Sequence, residues 1–171
     1  MNDLRSFVRD VPDFPSPGIL FRDITPLLAS PDAFRAAVAA MADPYRGKPV
    51  GKVLGIEARG FFFGAAIAQV LGAGFVPARK AGKLPRQTLR ANYGLEYGKD
   101  CLEIHTDAFE TGEMVLIADD VLATGGTAGA AAELTEKLGA RVAGLTFFIE
   151  LNGLDGRSRL GSRSVNSVLL L

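Results

Sequence analysis

VLIADDVLATGGTAGA, residues 115–130, is the stretch that decides how this chain is read. Four apolar residues, Val115 to Ala118, run into two adjacent carboxylates, Asp119 and Asp120. A short apolar step follows, and Ala123-Thr124-Gly125-Gly126-Thr127 then opens an alanine-rich segment. Met114 to Ala118 reads as a strand covered on both faces. Ala128 to Leu138 reads as a helix, with Leu134 and Leu138 four apart on one side. The turn between them carries two glycines, which let the backbone approach a ligand closely. The helix N-terminus behind it offers unpaired N–H groups and a positive dipole end. With two threonine hydroxyls added, this is a cradle for one phosphate, and the acids beside it are placed to accept hydrogen bonds from ribose hydroxyls. No Gly-Lys-Ser/Thr follows, so it is not a Walker loop. The glycines do not fall as GxGxxG, so it is not a dinucleotide fingerprint. The plainer alternative is an ordinary helix cap beside two solvated acids.

The rest of the composition narrows the field. At 171 residues the chain is expected to form a single domain, 1–171. The net charge is zero, so nothing points to wholesale binding of nucleic acid or anionic membrane. One cysteine, Cys101, allows no intrachain disulfide and no thiolate zinc cluster, and one histidine, His105, argues against His-based metal sites. Both read as structural residues. No apolar run reaches the ~18 residues of a membrane span, and MNDLRSFVRD has no signal core. A soluble cytoplasmic protein is expected.

Outward from the opening stretch, strands and helices alternate. Val53–Ile56 reads as a buried strand, Glu57–Gly60 as a turn, Phe61–Leu71 as a helix and Phe75–Ala78 as a second strand. Residues 79–95, RKAGKLPRQTLRANYGL, read as a mobile basic loop leading to a hairpin around Tyr97-Gly98-Lys99-Asp100, with Cys101–Ile104 as its next arm. Val142–Ile149 reads as a strand, and Val168–Leu171 as a final one. Ser30-Pro31 looks like an N-cap with proline in the first turn of a helix that ends before Pro44. Residues 1–30, with Pro12, Pro15, Pro17 and Pro26, read as irregular. Alternating elements imply an α/β fold, a parallel sheet flanked by helices.

The residues quoted above resemble the signature of the type I phosphoribosyltransferases. VPDFPSPGILFRDITPLL (11–28), GIEARGFFFGAAIA (55–68), RKAGKLP (79–85) and LEYGKDCLEIHTDA (95–108) are similar to the adenine-using members of that family, in the same order. The resemblance implies the type I fold with a small hood formed by about residues 1–30, a flexible loop and hairpin, and a homodimer. It implies a purine-salvage reaction in which adenine and 5-phosphoribosyl diphosphate (PRPP) give AMP and diphosphate, with Mg²⁺ held mainly by PRPP and water rather than by direct protein ligands.

The site residues follow from the same resemblance. Asp119 and Asp120 would hold the ribose, and Ala123, Thr124, Gly125, Gly126 and Thr127 the 5′-phosphate. Arg59 would face the diphosphate, joined by Arg79, Lys80 and Lys83 of the loop; the plain alternative for Arg59 is an ion pair with Glu57. Glu96 would handle the proton of the base nitrogen that bonds to ribose. Leu20, Phe21 and Arg22 would read adenine, with Val121 packing from the other side. Family members that use 6-oxopurines usually carry Asp where this chain has Ala123, which favours adenine. Two other readings stay open: a phosphoribosyltransferase for another base such as xanthine, and a PRPP-sensing regulator, for which no basic helix-turn-helix is evident.

Overall fold

The computed structural model describes residues 3–93 and 101–171. After a 3-10 turn at Leu4–Phe7 come strands β1 (Arg9–Pro12) and β2 (Leu20–Asp23), then helices α1 (Thr25–Ala29) and α2 (Pro31–Ala42). Strand β3 (Lys52–Ile56), helix α3 (Gly60–Leu71) and strand β4 (Gly74–Lys80) make the first βαβ unit. Strands β5 (Thr88–Asn92) and β6 (Cys101–His105) follow. Strand β7 (Met114–Leu122), helix α4 (Gly126–Lys137) and strand β8 (Arg141–Glu150) make the second unit, and β9 (Val165–Leu170) closes the order.

The main sheet has seven strands in the order β5-β6-β4-β3-β7-β8-β9. β4, β3, β7, β8 and β9 run parallel, and β5 and β6 add an antiparallel edge. The expected α/β class is therefore correct, with a mixed rather than wholly parallel sheet. Helices cover both faces. On one face α4 packs Leu134 and its buried alanines against Ile117, Leu145 and Phe147. On the other, α2 and α3 pack against Leu116, Ala118 and Phe148.

Local chemistry explains the elements. Ser30 caps α2 by accepting from the Ala33 N–H at 3.3 Å, with Pro31 in the first turn. Buried Phe63, Gly64, Ile67 and Ala68 give α3 the 3–4 spacing of a face laid on a sheet. β7 is almost continuously buried, as a central parallel strand must be.

Three expectations need correction. Residues 1–30 are not merely irregular: β1 and β2 form an antiparallel hairpin pairing Arg9 with Asp23 and Pro12 with Leu20. Its pairs Arg9–Asp23 and Asp10–Arg22 are charged, with Arg5 at 2.7 Å from the Asp10 carboxylate, and its apolar pairs Val11–Phe21 and Pro12–Leu20 are consecutive, so no apolar alternation announces it. Residues 79–95 are not one loop either, because β4 extends to Lys80 and β5 occupies Thr88–Asn92. β5 exists because β6, the next strand along the chain, pairs with it, setting Leu89 against Ile104 and Ala91 against Leu102. Finally, Asp119 and Asp120 lie within β7 rather than beyond its end, since pairing with β8 continues through Val121–Ile149 and Leu122–Glu150. Smaller shifts follow the same logic: β9 begins at Val165 and α4 at Gly126.

Phe63 is fully buried, stacked on Phe148 at 5.7 Å and tilted against Phe34 at 5.6 Å. Phe63→Ala is expected to cost about 3–5 kcal/mol. Urea denaturation should show a lower midpoint with an unchanged slope.

Candidate active site

β3 and β7 are parallel neighbours, paired in register from Lys52–Val115 to Gly55–Ala118. From β3 the chain passes through α3 to β4 on one side; from β7 it passes through α4 to β8 on the other. The sheet order thus reverses between their carboxyl ends, where open α/β sheets form a crevice for ligands. A cleft of about 380 Å³ opens there. Glu57, Ala58 and Arg59 line it from the β3 side, and Asp119, Asp120, Val121, Ala123 and Thr127 from the β7 side. Val121, Ala123, Thr124, Gly125, Gly126 and Thr127 wrap an adjoining hollow at the start of α4, with Asp119 at its edge.

The two sides meet because α3 packs hard on β7. A Cβ on Gly60 would stand 2.6 Å from Asp119 Oδ1, closer than real side chains approach, and 3.0 Å from the Ala118 carbonyl oxygen. That contact brings the preceding residue, Arg59, to the acids. Its Nε lies 2.6 Å from Asp120 Oδ2, and the guanidinium carbon sits 4.8 Å from the centre of the Phe21 ring. Phe21 in turn meets Phe14 edge-on at 5.1 Å. Neither reading of Arg59 foresaw this: its ionic partner is Asp120, and Glu57 belongs to Arg79.

The electrostatics of the acid pair are unequal. Asp119 is pushed well above the usual carboxylate range, first by burial and then by the neighbouring Asp120 charge. Burial also raises Asp120, although Arg59 opposes it. The Asp120 side chain is only 7% exposed. The Asp120 N–H donates to Asp119 Oδ1 at 2.8 Å, which fixes the orientation of that carboxyl.

The phosphate loop has its own constraint. Gly125 adopts φ 77°, a left-handed conformation that glycine takes without steric cost, and it turns the chain from β7 into α4. The Gly129 N–H then donates to the Gly125 carbonyl at 2.8 Å as α4 begins.

Other candidates lie elsewhere. The Arg79 guanidinium donates twice to Glu57, from Nε at 3.2 Å and Nη2 at 3.1 Å. Burial raises Glu57, but Arg79 and the Lys80 N–H outweigh it and hold the carboxylate below its usual range. Lys80 and Lys83 are exposed, and the Lys83 carbonyl accepts from Arg79 at 3.1 Å. Leu20 is exposed, and Arg22 turns to Asp10. Glu96 and the hairpin expected around Tyr97-Gly98-Lys99-Asp100 lie outside the described residues. Tyr93, which the sequence reading passed over, lines the cleft, and its carbonyl is 3.1 Å from where a Gly126 Cβ would stand. It follows an edge strand recognisable only from its pairing with β6, so no local signal marks it.

Among the described residues, no group of three or more His, Cys, Asp or Glu is placed to hold a metal ion, and no helix is long and apolar enough to cross a membrane.

The switch point of this mostly parallel sheet carries an acid pair beside a glycine-threonine turn. Residues 24–164 match the phosphoribosyl transferase domain, and the chain belongs to that family. An adenine phosphoribosyltransferase of Acidothermus cellulolyticus is 57% identical over 162 residues, covering 95% of this chain and 92% of that one. The crystal structure of adenine phosphoribosyltransferase from Rhodothermus marinus superposes with a TM-score of 0.94 at 53% identity, covering 98% of this chain and 96% of that one. The Saccharomyces cerevisiae enzyme, complexed with an imino-altritol bisphosphate and adenine, gives 0.91 at 42% identity, covering 98% and 97%. Within the family, this chain belongs with the adenine phosphoribosyltransferases.

The raised Asp119 makes a prediction with a definite sign. Its folded-state value lies above the unfolded one, so its neutral form favours the fold, and that contribution is lost as pH rises through the raised value. Asp119→Asn keeps an oxygen for the Asp120 N–H and removes the charge. Its melting temperature should exceed that of the parent at pH 7, with the gain shrinking towards pH 4. Thermal denaturation at both pH values measures this.

Proposed function

We propose that this chain transfers the 5-phosphoribosyl group of PRPP to adenine, forming AMP and diphosphate, in the cleft between the carboxyl ends of β3 and β7. The observation that carries the reading is the meeting, at the sheet's switch point, of the acid pair, Arg59 and the phosphate loop, in a chain with full-length kinship to adenine phosphoribosyltransferases. The whole chain is read as one catalytic domain.

The bond from the anomeric carbon to the diphosphate oxygen breaks, and a bond from that carbon to a base nitrogen forms. Positive charge develops on the ribose and negative charge on the departing diphosphate. Asp119 and Asp120 accept hydrogen bonds from the ribose hydroxyls, and their field favours the cationic sugar. The N–H groups and hydroxyls of Ala123–Thr127 grip the 5′-phosphate. Arg59 offers a planar fork of donors to the diphosphate. Lys80 and Lys83 add mobile positive charge from the turn after β4, while Arg79, tied to Glu57, holds the base of that turn. Closing the turn over the site would exclude water, which would otherwise capture the sugar.

Phe21 offers an aromatic face to adenine, with Val121 opposite and the backbone at Leu20–Arg22 reading the ring edge. Ala123 brings no carboxylate to the base. Glu96 handles the proton of the base nitrogen that joins ribose.

The acid pair is an oxygen-only set, whose chemistry fits a hard Mg²⁺ that would be held mainly by PRPP and water beside Asp119 and Asp120. When bound, the ion neutralises part of the diphosphate charge. We further propose a cytoplasmic homodimer. The half-exposed Phe62 and the partly exposed Phe75 support a surface that a second copy covers, and the one cysteine, buried and unpaired, suits a reducing compartment.

A purine panel with PRPP, read by mononucleotide formation, is the test. Adenine is expected to give the fastest turnover; a faster rate with any other base overturns the assignment, and tight PRPP binding without turnover of any base makes the protein a sensor instead. Glu96→Gln should lower kcat on the order of 10²-fold with little change in PRPP affinity. An unchanged kcat would remove Glu96 from the mechanism.

A further inference from the structure

The stretch between β8 and β9 has no role in the reading so far, yet it lies against the phosphate loop. Leu160 is fully buried in the core beneath α4, and this anchors the turn that precedes it. Gly156 is buried. A Cβ on Gly156 would stand 2.2 Å from the Ala123 carbonyl oxygen, and one on Gly125 would stand 2.3 Å from the Gly156 carbonyl oxygen. The two backbones therefore touch with no room for a side chain between them. The same packing sets Arg159 over the loop: its Cβ is 3.3 Å from where a Gly125 Cβ would be, and its Nη1 is 3.6 Å from that of Gly126, the first residue of α4.

The arginine's charge is uncommitted. Arg157 donates to both oxygens of Glu150, and Arg163 to both oxygens of Glu136. Arg159 is exposed, and among the described residues it makes no ion pair and no side-chain hydrogen bond. The loop beside it, Ala123–Thr127, contains no lysine or arginine. A helix end supplies only about half a unit of positive charge, against a phosphate near two negative charges. We infer that Arg159 is a further phosphate-binding residue, swinging its guanidinium onto the 5′-phosphate of PRPP and AMP, with Gly156 as the contact that holds it there.

This inference rests on the reading of Ala123–Thr127 as the 5′-phosphate site, and the experiment separates the two. Calorimetry would measure AMP and adenosine, which differ only by the phosphate, on the parent chain, Arg159→Gln and Arg159→Lys. The parent is expected to bind AMP more tightly than adenosine. Arg159→Gln should weaken AMP about tenfold, the scale of one charge-assisted hydrogen bond, and leave adenosine unchanged. Arg159→Lys should recover part of the loss, and the salt dependence of AMP binding should be shallower for the glutamine variant. AMP affinity unchanged in Arg159→Gln, in a parent that prefers AMP, overturns the role of Arg159 alone. Equal affinity of the parent for AMP and adenosine overturns the phosphate site and this inference together. An equal loss for AMP and adenosine in Arg159→Gln makes the residue structural and also overturns the inference.

Discussion

β3 and β7 pair in parallel as far as Gly55–Ala118; β3 then stops at Ile56 while β7 runs on beside β8 to Leu122, and the helices that follow them lead to strands on opposite sides, β4 and β8. A crevice between those ends is a consequence of topology, not of any one side chain. What fills the crevice is then set by the residues that happen to end each strand: Glu57 to Arg59 from one, Asp119 to Thr127 from the other. The Gly60 contact with β7 tightens the arrangement. Without it α3 would ride further from the sheet, and Arg59 would not reach Asp120.

The charges in this crevice hold one another. Two carboxylates removed from water would each resist ionisation, and adjacency makes the resistance worse. Arg59 relieves one of them, and the same guanidinium covers the Phe21 ring, so the acid pair and the aromatic ring share one cation in this structure. Two residues before that cation, Glu57 binds Arg79 and the Lys80 N–H, so the strand end feeding the site also anchors the basic turn. Such economy is common where a site is built on strand ends that the sheet already holds rigid.

Local and distant information contributed differently. The strand–turn–helix of residues 115–130 was legible because its signals are contiguous: an apolar strand, an acid pair and a glycine turn within sixteen residues. The helix over Phe61–Leu71 and the cap at Ser30 were legible for the same reason. β5 was not, because its Thr-Leu-Arg-Ala-Asn carries only two apolar residues and becomes a strand by pairing with β6. The β1–β2 hairpin was hidden by prolines and by charged cross-strand partners. For Arg59 the sequence offered a diphosphate-facing role or, as the plain alternative, an ion pair with Glu57; its partner is Asp120, because the nearest acid along the chain is not the nearest in space.

By itself the sequence determined that this is an α/β chain carrying a sugar-phosphate site, and its resemblance pointed to PRPP and adenine. Those conclusions rest on residues that are close along the chain and act through backbone geometry and local capping. Only the tertiary structure decided which charges meet: Arg59 with Asp120 and Phe21, Arg79 with Glu57, and the Gly156–Arg159 turn with the phosphate loop. Each of these contacts joins elements whose distance is set by helix-on-sheet packing and strand order, quantities that no local pattern of side chains encodes.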